Sequence, residues 1–116
     1  MKVIGYRMIS PTNFNNEKMK GVAGRVVIGK RDGAENFYMR LFEVAPGGYT
    51  IKHTHDWEHE IFIRSGKGEV YSNGNWHPIN TDDVLFIPAN EEHQLRNIGH
   101  DVFIFICLVP SKAPEM

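Results

Sequence analysis

The segment His53-Thr54-His55-Asp56-Trp57-Glu58-His59-Glu60 places three imidazoles at i, i+2 and i+6. Its flanks read as β-strand, and side chains alternate faces along a strand with period 2. The spacing therefore predicts that His53, His55 and His59 point the same way. Three neutral nitrogen donors on one face make half of a transition-metal site. The competing account is a solvated strand face that carries histidines by chance. His93, a fourth histidine in a matching strand context downstream, weighs against it.

Those histidines must be positioned by short strands. Apolar segments rich in Val, Ile, Phe and Tyr alternate with turn residues at 22–28, 37–44, 49–55, 60–64, 69–72, 76–79, 84–87, 93–97 and 102–109. Asn73-Gly74 is a strong hairpin signal, because both residues tolerate positive φ. Only 11–20 has helix-like potential, and its asparagines favour a loop. Many short strands with frequent turns predict an all-β sandwich or barrel. A length of 116 residues fits one domain, 1–116, with a single core.

A net charge of −1, with both signs interspersed, argues against a nucleic-acid partner or an anionic membrane held by electrostatics. The one cysteine, Cys107, permits no intrachain disulfide, and no apolar run approaches membrane-spanning length or a signal peptide. The expectation is a soluble, cytoplasmic protein.

Gly47, five residues, His53-Thr54-His55, three residues and then His59 resemble the first cupin motif, G-x5-H-x-H-x3,4-E-x6-G, here at about 47–66. Asp82, five residues, Pro88-Ala89-Asn90, two residues, His93, three residues and Asn97 resemble the second, G-x5-P-x-G-x2-H-x3-N, at about 82–97. Two motifs in this order cover about half the chain. The resemblance implies a double-stranded β-helix, or jelly roll, with a divalent metal held by two histidines and a carboxylate of motif one and the histidine of motif two. Carried over by position, His53, His55 and His93 are ligands.

Three departures from the motifs stand out. Asp82 and Asn90 replace glycines, which a turn tolerates because Asp and Asn enter the left-handed region most readily. The third changes the chemistry. The usual glutamate falls at His59 or Glu60, and parity puts His59 with the other histidines while Glu60 points outward unless a bulge intervenes. The expectation is a four-histidine site, with Glu60 as the alternative to His59. A subgroup of small manganese-binding cupins is similar in this respect. Ligand softness favours iron, nickel, copper or zinc, so manganese rests on the resemblance alone. Four neutral ligands leave the full divalent charge, giving a strong Lewis acid that is hard to oxidise. An octahedral ion keeps two positions open, whereas tetrahedral zinc would be closed and structural.

Other candidates for a substrate pocket are Arg40, Tyr49, Ile51, Trp57, Phe105 and Cys107. Arg40 could orient a carboxylate, or face solvent on alternating parity. Tyr49 and Ile51 share parity with His53. Trp57 is either a cover for the site or a dimer contact. Phe105 and Cys107 share parity, and Cys107 is either redox-active or a small core thiol. His77 and His100 read as surface residues.

The functions that follow are, in order, a metal-dependent oxidoreductase of dioxygenase type acting on a small organic substrate, a metal-assisted isomerase, decarboxylase or lyase, and a non-catalytic small-molecule-binding protein. The family resemblance also implies a homodimer paired through N-terminal strands such as 2–9.

Overall fold

The computed structural model describes residues 1–116. Nine strands build it: β1 Thr12–Phe14, β2 Lys20–Ile28, β3 Phe37–Tyr49, β4 His59–Ser65, β5 Lys67–Ser72, β6 Asn75–Asn80, β7 Val84–Ile87, β8 His93–Asn97 and β9 Phe103–Pro110. Two single 3₁₀ turns, Tyr6–Met8 and Lys30–Asp32, are the only helical segments. No helix is long and apolar enough to cross a membrane.

All pairings are antiparallel and form one curled sheet in the order β6-β5-β8-β3-β9-β4-β7, with β2 on β3 and β1 on β2. This is the jelly roll that the family resemblance implies, and it fits the all-β pattern of the sequence. Alternation builds its interior. On β4 His59, Ile61 and Ile63 are buried while Glu60, Phe62 and Arg64 are exposed. On β9 Phe103, Phe105, Cys107 and Val109 are all almost fully buried. On β8 His93, Leu95 and Asn97 face inward. Period-2 patterning thus sets a shared core and a polar or mixed outside.

The turns follow their chemistry. Asn73 and Gly74, at φ 51 and 81, close the β5–β6 hairpin. Asp82 and Asn90 sit at φ 75 and 68, so each fills the left-handed position that glycine would otherwise take.

Several boundaries differ from expectation. β3 runs on through Ala45-Pro46-Gly47-Gly48 to Tyr49, against the turn expected there. It can do so because Gly47 adopts φ 80 and because Gly48 lies so close to β2 that a Cβ would stand 2.6 Å from the Lys20 carbonyl oxygen. Residues 50–58, expected partly as strand, keep only an isolated bridge between His53 and His93. Thr12–Phe14, expected as loop, pairs with β2 as β1. Within the stretch 2–9, expected to pair across a dimer interface, Tyr6–Met8 forms a 3₁₀ turn and no residue joins the sheet of its own chain.

Candidate metal centre

The four histidines come from three places rather than one strand. His53 is bridged to His93 by reciprocal backbone hydrogen bonds, His53 N–H to the His93 carbonyl at 3.2 Å and the return bond at 3.1 Å. His55 lies in the irregular segment beyond it, and His59 opens β4. One ring nitrogen from each, taken together, fall within 4.8 Å of one another. The Nε2 atoms of His55 and His59 are 2.8 Å apart. His59 and His93 are buried, while His53 and His55 are half-buried, so the cluster is reached from their side.

Partners on the far nitrogens orient two of these rings. His55 Nδ1 donates to the Trp57 carbonyl at 2.8 Å, and His93 Nδ1 to the Glu91 carbonyl at 2.9 Å. A carbonyl only accepts, so the proton sits on Nδ1 and the Nε2 lone pair is free to bind an ion. Trp57 also stacks on His55, with ring centroids 4.2 Å apart and planes 6° from parallel. Behind His59, the Cys107 sulfur lies 3.0 Å from Nδ1 and accepts from Arg40 Nη2 at 3.1 Å.

The four imidazoles of the cluster are pushed toward the neutral form. Burial pushes His53 down to about 4, and repulsion from His93, His55 and Arg40 adds to it. Burial likewise lowers His59, His55 and His93. Neutral imidazole is the form that binds metal. Burial also raises the Cys107 thiol, against the pull of Arg40. Four convergent, neutral, mostly pre-oriented nitrogen donors fit a divalent transition ion. Their chemistry does not choose which one.

The cluster opens onto a cavity of about 380 Å³. Arg40, Ile51, Trp57, Phe105 and Cys107 line it, as do the four histidines. Tyr49 lies outside, its hydroxyl donating to the Glu17 carbonyl at 2.9 Å. β3 leaves the ladder immediately after Tyr49, so parity counted from His53 does not carry across that break. Glu60 points to the outer face beside Phe62 and Phe86, across the sheet from the histidines. His77 and His100 are exposed and lie outside the cavity lining.

Several lining residues escaped the sequence reading. Phe42, Ile61 and Leu95 share parity with Arg40, His59 and His93, a signal that could have found them. Phe14, Met19, Pro114 and Met116 arrive from non-periodic segments and carried no such signal. Gly24 admits two of these neighbours, since a Cβ there would lie 2.8 Å from Met116 Sδ and 2.9 Å from Phe42 Cε1.

A family model for the cupin domain matches residues 40–109. The chain belongs to the cupin family. Polyketide cyclase RemF of Streptomyces resistomycificus superposes with a TM-score of 0.90 at 28% identity, covering 98% of this chain and 82% of that one. A predicted oxalate decarboxylase of Thermotoga maritima superposes with a TM-score of 0.83 at 26% identity, covering 94% of this cupin and 98% of its counterpart. Polyketide synthase CurC of Streptomyces cyaneus is 26% identical over 115 residues, 98% of this chain and 72% of its own length.

Proposed function

We propose that this cupin is a divalent-metal-dependent enzyme that closes a ring in a small, apolar, carbonyl-bearing substrate. The observation that carries the reading is the cavity itself. Four neutral histidines converge at one place on a largely apolar wall, and no Asp or Glu lines it. A divalent ion there supplies Lewis acidity, polarising a carbonyl and acidifying the adjacent C–H. His53, His55, His59 and His93 would hold it. Phe42, Phe105 and Trp57 clamp flat rings and exclude water. The overall reaction joins a carbon next to one carbonyl to the carbon of another, and the second oxygen leaves as water.

Similarity to a polyketide cyclase over nearly the whole of this chain supports the reading. So does the donor set, because ligands with no negative charge disfavour a higher oxidation state. This is why ring closure now stands ahead of the oxygen-dependent reaction favoured on sequence grounds, which would use the same site. Imidazole donors suit zinc, iron, nickel or copper, and manganese rests on the resemblance to the four-histidine cupins.

Elemental analysis of protein purified without added metal, followed by anaerobic incubation with a linear poly-β-keto thioester, tests the proposal. Metal-dependent formation of a product lighter by one water is expected. Absence of ring product under nitrogen from protein that consumes oxygen with the same substrate in air, or a metal-loaded protein inert to such substrates, would overturn it.

Self-association into a homodimer, implied by the resemblance, belongs to the same proposal. β7 is an edge strand, and Val84, Phe86 and the neighbouring Phe62 leave an apolar outer face beside it. An uncovered edge of this kind suits a second copy of the chain.

A further inference from the structure

Among the ionisable side chains that line the cavity, Arg40 is the one permanent cation, set among four histidines and Cys107. Its surroundings give that charge no counter-ion. The three ion pairs of the molecule join Lys2 to Asp32, Arg25 to Glu43 and Arg96 to Glu69. Arg40 takes part in none of them. Nη2 reaches the Cys107 sulfur at 3.1 Å and lies 3.5 Å from His59 Nδ1, and the guanidinium carbon stands 5.3 Å from the centre of the Phe42 ring. None of the three is a carboxylate. Nε is buried with no partner at all.

A guanidinium offers only donors and is matched best by a carboxylate or another planar anion. A divalent ion on four neutral imidazoles would add positive charge to the same cavity, and no carboxylate lines it to offset either. Asp56 and Glu91 act on His55 and His93 from outside the lining but neither pairs with Arg40, so a bound anion would supply the partner its guanidinium lacks.

We infer that Arg40 is a specificity-determining residue, and that the cavity takes a flat, apolar organic anion whose carboxylate or acidic enol oxygen seats against its guanidinium. This deepens the ring-closure reading by naming the charge of the substrate, and it rests on that reading for the reaction only. The binding preference itself depends on Arg40 and the apolar wall. Placing the anion beside His59 also sets the reacting carbonyl next to the four histidines.

The alternative role for Arg40 is purely structural, bracing Cys107 and His59. Calorimetric titration separates the two with 2-naphthoate and its uncharged isostere 2-naphthamide, each run on metal-free and zinc-loaded protein. The metal-free arm isolates Arg40, because no ion is present to attract the carboxylate. There the acid is expected to bind the wild-type protein about tenfold tighter than the amide. Arg40→Gln should bring the two affinities together by weakening the acid alone, and Arg40→Lys should keep part of the preference. A bracing role would weaken acid and amide alike. Equal affinities in the wild-type protein, no saturable naphthoate binding, or an unchanged ratio in Arg40→Gln would each overturn the inference. The wild-type comparison stands even where the variant fails to fold. Loss of ring closure with the naphthoate preference intact would count against the reaction, not against Arg40.

Discussion

His59 is where one residue of sequence changes the chemistry of the site. It opens β4 facing inward, so the motif position usually held by a glutamate carries an imidazole, while Glu60 is turned outward. His59→Ala should lower divalent-metal affinity by at least about tenfold, the scale on which even supporting groups act, and Glu60→Ala should leave it unchanged. Metal content after dialysis against a weak chelator checks both, and the reverse pattern would remove His59 from the ligand set. Burial also makes the histidines a source of pH sensitivity. Their folded pKa values lie below the unfolded value, so acid protonates the unfolded chain first and draws the equilibrium toward it. Metal-free protein should therefore be most stable above 6.5 and lose stability as pH falls, with the His53 contribution levelling off at about 4. Urea midpoints of metal-free protein between pH 7.5 and 4 measure it. His53→Gln should flatten the slope.

At the scale of elements, one long strand and one buried asparagine hold together the sheet in which the site sits. β3 pairs with β2, β9 and, at Tyr49, with β8, so it ties the layers together before the chain departs toward His53. Asn97, at the end of β8, donates from Nδ2 to the Val44 and Asp101 carbonyls at 2.8 Å each, and its Oδ1 accepts from Gly99 N–H at 2.8 Å. Asn97→Ala strands buried polar groups on two neighbouring segments and should cost roughly 1–3 kcal/mol, read as a lower urea midpoint. The folded variant should still bind metal, because Asn97 touches no histidine. A variant that keeps its stability would show that these bonds are replaced by water. Gly48→Ala drives a Cβ against the Lys20 carbonyl and should also destabilise, by roughly 1–3 kcal/mol.

For the whole molecule, metal binding and folding are coupled. The histidines converge only when β4, β8 and the 50–58 segment are in place, so an ion that binds the folded state alone must raise its stability. A divalent ion at a hundredfold excess over its dissociation constant should add about 2.7 kcal/mol. Thermal melts with and without metal check this, and His59→Ala should remove about half of the increment or more. The proposed homodimer is a second property of this scale. Light scattering should give twice the chain mass, and Phe86→Glu should shift it toward the monomer if the β7 face is the contact. A wild-type monomer at micromolar concentration would refute the dimer.

Much of this molecule was legible in local pattern. Alternation along β4, β8 and β9 assigns inside from outside residue by residue, and it separates His59 from Glu60 without reference to any other segment. Asn73-Gly74, Asp82 and Asn90 announce their turns because few residues accept positive φ. Periodicity fails where the ladder breaks. Parity placed Tyr49 beside His53, yet β3 ends between them and Tyr49 turns away toward Glu17. The register between separate strands lies equally beyond local pattern. Pairing of Arg40 with Cys107 across β3 and β9, and the bridge from His53 to His93, are long-range choices made by packing. Residue type and local spacing therefore determined the all-β class and singled out the histidines of 53–59, while the jelly roll and the place of His93 among them followed from the family resemblance. Only the tertiary structure decided that an unpaired arginine shares their cavity, because charge balance is a property of the whole lining and not of any one segment.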